Sequence, residues 1–162
     1  MEDLKFMDEA LALAAEAAQE GEVPVGCVIV RDGRIVGRGR NRRETDKTAL
    51  GHGEIEAIAD ACKTLGGWRL WDCTLYVTLE PCPMCAGAII NARIPRVVYG
   101  AGDAKCGAVR SVCSMFSMEF NHHPEVEAGV LETECAQLLT DFFKKLRLEL
   151  RSRPKWKKPE DN

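Results

Sequence analysis

The sequence has 162 residues, of which 46% are hydrophobic and 29% charged, and its formal net charge is −3. This length and composition are typical of one globular domain with a single core. No apolar run approaches the ~20 residues of a transmembrane helix, so no membrane partner is expected. The N-terminus lacks the basic start and apolar run of a signal peptide, which predicts a cytoplasmic protein.

The eight cysteines raise the question of a disulfide framework. Four of them lie inside apolar patterns, where a free cysteine behaves as a small buried hydrophobe. These are Cys27, Cys62, Cys73 and Cys135. We therefore expect no structural disulfides.

Hydrophobic periodicity in the first third of the chain predicts a helix followed by a hairpin. Apolar residues recur every three or four positions over residues 2–20, which predicts an amphipathic helix ending at Gly21. Two apolar runs, 25–30 and 35–39, flank Asp32-Gly33, a strong hairpin signal. The first two strands should therefore be antiparallel.

The middle of the chain alternates helix and strand. A helix begins near His52 and stops at Gly66-Gly67, a strand covers residues 73–79, a helix covers 84–93 and a strand covers 94–100. The expected buried stripe of the first of these helices is Ile55, Ile58, Ala59, Cys62 and Leu65. This α/β alternation favours a parallel arrangement with right-handed crossovers.

The last third is less regular. Residues 103–121 should mix loop and short helix, 126–130 could form a fifth strand, and a stripe of apolar residues from Glu132 onward predicts a long closing helix. We expect one domain over residues 1–150 and a basic, flexible tail over 151–162.

The stretch with the most chemical content is Pro81-Cys82-Pro83-Met84-Cys85, which follows the apolar strand directly. A C-x-x-C pair alone is compatible with half of a structural zinc site, a redox pair or chance. The upstream triplet His52-Gly53-Glu54 decides among them, because H-x-E followed by P-C-x-x-C is a signature already described for zinc-dependent nucleobase deaminases. Both half-motifs should lie at helix N-termini beside strand ends.

These residue types suit a catalytic zinc rather than a structural one. His52, Cys82 and Cys85 supply three ligands and leave a fourth position for water, whereas a structural site has four protein ligands. Zinc held in this way lowers the pKa of its water toward roughly 7. Glu54 is not needed as a ligand and can carry a proton from that water to the ring nitrogen and the leaving amine. His122 and His123 are distant in sequence from both motifs, so we assign them a loop or supporting role.

Beyond these motifs the chain resembles the bacterial tRNA-specific adenosine deaminases of the cytidine/deoxycytidylate deaminase superfamily. The resemblance covers nearly the whole chain. It rests on the segments 22–26, 52–58, 74–89, 96–100 and 121–122.

The resemblance implies a fold, an activity and further site residues. The fold is a three-layer α/β/α cytidine-deaminase-like fold with a five-stranded mixed sheet, and the activity is conversion of the wobble adenosine of a tRNA anticodon to inosine. A homodimer with one zinc per subunit is also implied. Asn41 matches a residue that contacts the target nucleoside, Gly53 keeps a backbone N–H at the site, and Phe142 and Phe143 match an aromatic pair close to the RNA.

The chain departs from the family pattern at three places. Gly53 stands where alanine is usual, which loosens the helix start by up to about 1 kcal/mol. Gly102 stands where arginine is frequent, and residues 106–113 differ from the usual loop of small residues. These last two departures bear on RNA affinity and sequence preference.

Two other function classes stay open on the sequence alone. One is a deaminase of a free base or nucleoside, such as guanine or cytosine, and the other is a structural zinc or RNA-binding module without turnover. Glu54 argues against the module. The negative net charge argues against RNA, but the arginines of residues 38–43 and the tail of residues 151–158 form local basic segments suited to phosphates.

Overall fold

The computed structural model describes residues 1–154. The described residues form one five-stranded sheet and four α-helices in the order α1-β1-β2-α2-β3-α3-β4-β5-α4. The helices are α1 (Glu2–Gln19), α2 (Gly53–Leu65), α3 (Pro83–Asn91) and α4 (Glu132–Ser152). The strands are β1 (Gly26–Arg31), β2 (Arg34–Arg40), β3 (Cys73–Leu79), β4 (Arg96–Ala101) and β5 (Glu125–Ala128). A short 3₁₀ helix, Met115–Ser117, interrupts the loop before β5. This agrees with the predicted mixture of loop and short helix over residues 103–121.

The spatial order of the strands is β2-β1-β3-β4-β5. β1 pairs antiparallel with both β2 and β3, whereas the β3/β4 and β4/β5 pairs are parallel. The predicted hairpin is confirmed, with Asp32 and Gly33 at φ 51° and 73°, the left-handed values that a tight hairpin turn needs. The alternation predicted the parallel strands, but it did not predict that β1 would lie between β2 and β3.

The sheet separates two hydrophobic clusters and so forms the middle of three layers. Side chains of α2 and α3 pack with Cys27, Ile29 and Val77 on one face. Side chains of α1 and α4 pack with Val28 and Tyr76 on the other. β1 is buried along almost its whole length because both faces of the sheet are covered there. The three-layer mixed α/β fold is confirmed.

The contact of α2 with β2 differs from the predicted stripe of large residues. The residues of α2 buried against the sheet are Gly53, Glu54, Ala57 and Ala61, whereas Ile58 and Leu65 are only partly buried and Ala59 is exposed. Gly37 and Gly39 of β2 explain this shift. A Cβ at Gly39 would lie 2.1 Å from the carbonyl oxygen of Gly53, so the helix backbone rests directly on the strand.

The C-terminal helix is longer than predicted. α4 continues through Ser152, so the first two residues of the predicted tail are helical. The remainder of that tail from residue 155 onward lies outside the described residues. Within residues 1–154, none of the helices is both long and apolar enough to cross a membrane.

Candidate metal centre and its pocket

The three predicted metal ligands converge from the starts of two helices. His52 is the N-cap residue of α2, Cys82 is the N-cap residue of α3, and Cys85 lies in the first turn of α3. Pro83, at the first position of α3, has no N–H to lose and a φ already suited to a helix. The site therefore lies at the carboxyl end of β3, which leads into the Cys82 segment.

The donor atoms of this cluster have the spacing that zinc requires. Nδ1 of His52 lies 3.5 Å from Sγ of Cys82 and 3.5 Å from Sγ of Cys85. All three ligand atoms lie within 4.8 Å of one another. Tetrahedral zinc with Zn–S of about 2.3 Å and Zn–N of about 2.0–2.1 Å places its nitrogen and sulfur ligands about 3.5–3.6 Å apart. The residues present therefore fit the ion.

Mutual hydrogen bonding divides the protons of the cluster unequally. The pKa of Cys82 is lowered to about 4, mainly by a hydrogen bond from Cys85 and to a smaller extent by one from His52. The same sulfur–sulfur contact raises the pKa of Cys85, and burial raises it further. The hydrogen bond with Cys82 raises the pKa of His52. Two adjacent thiolates repel each other, so a cation is what would allow both sulfurs to be anionic together.

Glu54 lies beside the cluster with its side chain buried. Only 3% of the residue is exposed, and it lines the same pocket as His52 and Cys82. Burial raises the pKa of its carboxyl group, because the charged form is poorly solvated there. Its position in the first turn of α2 opposes this effect, since the free N–H groups of a helix start favour negative charge.

The pocket extends from the cluster to two loops. Val23, Val25, Asn41, Arg43 and Gly53 line one part of the wall. The rest of the wall is formed by Leu79, Glu80, Asp103 and Cys106, which follow or end β3 and β4. Asn41 is buried at 7% exposure, and its side-chain oxygen accepts a hydrogen bond from the backbone N–H of Arg43 at 3.1 Å. The amide NH₂ of Asn41 is thereby left as its remaining polar group.

Each of the two loops is held by a buried glutamate. Glu22 accepts hydrogen bonds from the N–H groups of Glu44 and Thr45 at 3.0 and 2.9 Å. Glu80 accepts hydrogen bonds from the Ser111 hydroxyl and from four backbone N–H groups. These belong to Asp103, Val109, Arg110 and Ser111, at 2.9 to 3.2 Å. Burial acts to raise the pKa of Glu80, but these hydrogen bonds prevail and lower it to about 2.

Sequence reasoning missed both glutamates as parts of the site. Glu22 belongs to an acidic segment and Glu80 to the strand end before the cysteines, and neither has a partner nearby in sequence. The sequence offered only a local hint: Glu22 directly precedes Val23 and Glu80 directly precedes Pro81, and both segments lie next to site residues. Partners 22 to 31 residues away cannot be inferred from such a pattern.

The structure does not bring every predicted residue to the pocket. Phe142 and Phe143 pack edge to face on α4 with ring centroids 5.4 Å apart, and Phe142 lies in a groove with Ala18 and Gly21 at the end of α1. Neither ring lines the metal pocket. His122 and His123 lie in the loop before β5 and contact the carbonyl oxygens of Ile94 and Phe116. All eight cysteines are free.

Comparison with known proteins identifies the family of this chain. The sequence profile of the MafB19-like deaminases matches residues 1–147. The chain is 48% identical over 147 residues to the tRNA-specific adenosine deaminase of Bacillus subtilis (strain 168), which covers 90% of this chain and 91% of the relative. A relative of the same description from Streptococcus pyogenes serotype M1 is also 48% identical over 147 residues, covering 90% of this chain and 86% of its own length.

Solved structures give the same result. One from a study of A-to-I editing by tRNA:A34 deaminases superposes with a TM-score of 0.81 at 48% identity, covering 83% of this chain and 99% of that one. A guanine deaminase from Nitrosomonas europaea has a TM-score of 0.71 at 22% identity, covering 86% of this chain and 83% of its own, and at that identity it shows a shared fold alone. The chain belongs to the MafB19-like deaminase family and, within it, to the tRNA-specific adenosine deaminases.

Proposed function

We propose that this protein hydrolyses adenosine to inosine at the wobble position of a tRNA anticodon and releases ammonia. The observation that carries the proposal is the cluster of His52, Cys82 and Cys85 with the buried Glu54 beside it. His52, Cys82 and Glu54 line one pocket. A module that only binds zinc or RNA has no need of a buried acid at this place. The 48% identity to tRNA-specific adenosine deaminases supports the choice of substrate.

One zinc ion per subunit would be held by His52, Cys82 and Cys85, whose donor spacing fits it. When bound, zinc supplies a Lewis acid that activates water for attack on C6 of the adenine. The ligands come from the two helix starts, so their positions are set by backbone structure before any ion arrives.

Glu54 is proposed as the proton carrier. Glu54 lines the pocket together with His52 and Cys82, so its carboxylate can reach a purine ring bound there. It would take a proton from the attacking water and place it on N1 of the purine. It would then deliver the second proton to the exocyclic amine, so that ammonia leaves. Burial at 3% exposure keeps bulk water from competing for these protons.

Asn41 and Gly53 are proposed to hold the nucleoside. Because the side-chain oxygen of Asn41 is already used by Arg43, its NH₂ group is the donor available to an acceptor on the base or ribose. Gly53 lies in the first turn of α2, where backbone N–H groups have no partner within the helix. Both residues line the pocket wall, so a substrate bound there meets these two donors.

The anticodon backbone would be held outside the pocket. Among the arginines of residues 38–43, Arg40 pairs with Glu20 at 2.7 Å and Arg42 with Asp46 at 3.6 Å, whereas Arg43 lines the pocket. Arg43 is therefore the proposed contact to a phosphate of the target nucleotide. Phe142 and Phe143 are proposed to contact RNA from α4. The basic tail over residues 151–158, much of it outside the described residues, is proposed to bind phosphates as well.

A second copy of this chain is the proposed protein partner. Two neighbouring grooves on the outer face of α2 and α3 share Asn91 and Arg93, and exposed rings of Trp68 and Phe120 border them. A Cβ added at Gly87 on this face would meet nothing within 4 Å, so Gly87→Glu should leave the subunit folded while placing a charge in the interface. Light scattering should give a dimer for the natural protein and a monomer for the variant, and a monomer for both would contradict the dimer.

Two further proposals follow from the activity. A tRNA substrate implies a cytoplasmic location. Catalysis should need only the domain of residues 1–150, with the remaining residues adding RNA affinity, so a chain ending at Leu150 should keep its kcat and bind more weakly.

The decisive experiment compares an anticodon stem-loop that begins its anticodon with A against free adenosine, guanine and cytosine. An anticodon loop presents its wobble base unpaired, so little unstacking is needed for the base to enter the pocket. Inosine should form in the stem-loop far faster than ammonia is released from any free compound, and binding should weaken as salt rises. Efficient turnover of guanine or cytosine with an untouched stem-loop would instead establish the free-base alternative.

A further inference from the structure

The loop of residues 41–51 is fixed at its base but needs support in the middle. The N–H of Asn41 donates to the carbonyl oxygen of Val25 at 3.0 Å, and the N–H of Arg42 donates to that of Gly51 at 2.9 Å. These bonds close the two ends of the loop. Within the loop, the N–H of Asp46 donates to the carbonyl oxygen of Arg42 at 2.8 Å and that of Thr48 to the carbonyl oxygen of Arg43 at 3.1 Å, which folds residues 42–48 into turns. None of these bonds ties those turns to α1.

Glu22 supplies that support from outside the loop. Its own N–H donates to the carbonyl oxygen of Ala17 at 2.9 Å, which ties it to the end of α1. Its two carboxylate oxygens each accept one backbone N–H, from Glu44 and from Thr45. At 1% exposure the carboxylate is buried, so it bonds these N–H groups without competition from water.

We propose that Glu22 is a positioning residue for substrate binding: it holds the 41–51 loop so that Asn41 and Arg43 face the pocket, and it touches no reacting atom. The inference rests on the proposed function for the roles of Asn41 and Arg43. The N–H of Arg43 donates a hydrogen bond to the side-chain oxygen of Asn41. A shift of residues 43–45 would therefore also shift the Asn41 side chain. Val23, the next residue after Glu22, lines the same pocket, so the clamp lies against the pocket wall.

Glu22→Gln tests whether the two hydrogen bonds from Glu44 and Thr45 to Glu22 hold the loop, and Glu9→Gln is the matched control. Glutamine has nearly the same size but one acceptor oxygen, so an NH₂ group faces one of the two loop N–H groups. Glu9 is an exposed glutamate of α1, and the same change there touches no loop. Hydrogen exchange of peptides covering residues 42–51 should be faster in Glu22→Gln and unchanged in the control. Exchange in β1 and β3, and zinc content, should equal those of the natural protein.

Kinetics on the anticodon stem-loop test the connection to Asn41. We expect Glu22→Gln to lower kcat/KM by ~10- to 100-fold, the scale of an ångström-sized misplacement of a binding group. In an Asn41→Ala background the same change should cost several-fold less than in the natural protein, because residues that act as a unit are not additive and only the contribution through Arg43 remains. Equal losses in both backgrounds, or natural exchange rates over residues 42–51, would overturn the proposal.

The two proposals fail in different ways. If the natural protein leaves the stem-loop untouched, the proposed function fails, while hydrogen exchange still decides whether Glu22 holds the loop. If Glu22→Gln lacks a cooperative unfolding transition, Glu22→Asp replaces it, because aspartate keeps the charge but loses one methylene of reach. The same exchange and kinetic results then decide.

Discussion

The pocket is built from two kinds of structure that differ in how their side chains are held. His52, Glu54, Cys82 and Cys85 stand at the starts of α2 and α3, where helix geometry sets their spacing. Asn41 and Asp103 stand on loops, whose shape depends on carboxylates brought from elsewhere in the chain. The comparison teaches that the residues proposed to react stand on helix starts, whereas Asn41, which is proposed to bind the substrate, and Asp103 stand on loops that depend on long-range contacts.

The largest effect should come from the metal ligands. Cys82→Ser should lose zinc and activity together, because serine is a poor replacement for a thiolate and only two good ligands remain. Metal analysis should find about one zinc per chain in the natural protein and little in the variant. A Cys82→Ser/Cys85→Ser protein that retained a full zinc would show that the ligand set is wrong.

Glu54→Gln should separate chemistry from binding. The amide cannot carry the proton, so the chemical step should fall by ~10²–10⁴-fold, as is typical for a lost general acid–base group. Zinc content and stem-loop affinity should stay near natural values because Glu54 is not a ligand. Single-turnover kinetics measure the first quantity and filter binding the second, and deamination within a few-fold of the natural rate would refute the role.

Gly39→Ala tests whether the helix start is fixed by its strand. The new Cβ would lie 2.1 Å from the carbonyl oxygen of Gly53 and 2.6 Å from the backbone nitrogen of Ala57, so α2 must shift. We expect a loss of ~1–3 kcal/mol in the free energy of unfolding, as for other overpacked sites, and reduced activity because Glu54 moves with the helix. Denaturant unfolding and stem-loop kinetics measure both.

Gly53→Ala is the matched control for that contact. A Cβ at Gly53 would lie 3.3 Å from Cα of Arg40 and from the carbonyl oxygen of Gly39, which a small adjustment relieves. Alanine also favours a helix over glycine by up to about 1 kcal/mol. Stability and activity should therefore change little, and a loss as large as that of Gly39→Ala would show that crowding at the α2 start is not the cause.

Glu80→Gln should loosen the rim opposite Asn41. The variant loses part of a network of five hydrogen bonds to one carboxylate, and a buried N–H left without a partner costs about 1–3 kcal/mol. Exchange should accelerate over residues 103–111 and stay natural over residues 42–51. Faster exchange in both loops would mean that the rims do not move independently.

The smallest effect on activity should come from a carboxylate outside the pocket. Asp3 binds Arg96 through two hydrogen bonds of 2.8 Å and accepts one from Tyr76, and these contacts lower its pKa from 3.8 to about 2. Because the pKa of Asp3 is lower in the folded than in the unfolded state, the ionised carboxylate stabilises the fold at any pH above its unfolded-state pKa. That stabilisation is lost as the pH falls through the folded-state pKa. Asp3→Asn should thus be less stable than the natural protein at pH 7, and the difference should shrink to a small fraction as the pH falls to 2, while kcat at pH 7 is unchanged. Denaturant unfolding at several pH values measures the difference.

The sequence predicted the helix starts better than the packing around them. Periodicity and the hairpin signal predicted the bounds of all four α-helices and five strands to within a few residues. Two short sequence motifs predicted which residues would form the metal cluster. The predicted α2 stripe was partly right, because Ile58, Cys62 and Leu65 pack against the core but stay partly exposed. Gly37 and Gly39 draw the backbone of the helix close, so Ala57 and Ala61 are the side chains buried against the sheet. The glutamate clamps were missed because periodicity carries no information about a partner 20 or 30 residues away.

The insertion of β1 between β2 and β3 was not predictable from alternation either. Each crossover rule concerns strands that run in the same direction, and β1 runs against the other four. The hairpin fixes the β1/β2 pair through local turn chemistry. The choice of β3 as the second neighbour of β1 depends on burying both faces of β1, which is a property of the complete core.

The separation of the ligands along the chain has a consequence for biosynthesis. His52 and Cys82 are 30 residues apart, and β3 lies between their helices. A growing chain therefore releases His52 from the ribosome before either cysteine, and the cluster can form only once α3 has folded against α2. Until then Cys82 and Cys85 are ordinary thiols open to oxidation. If the proposed zinc site is right, the newly made, metal-free chain should be the form most vulnerable to oxidants, and capture of the ion would end that exposure.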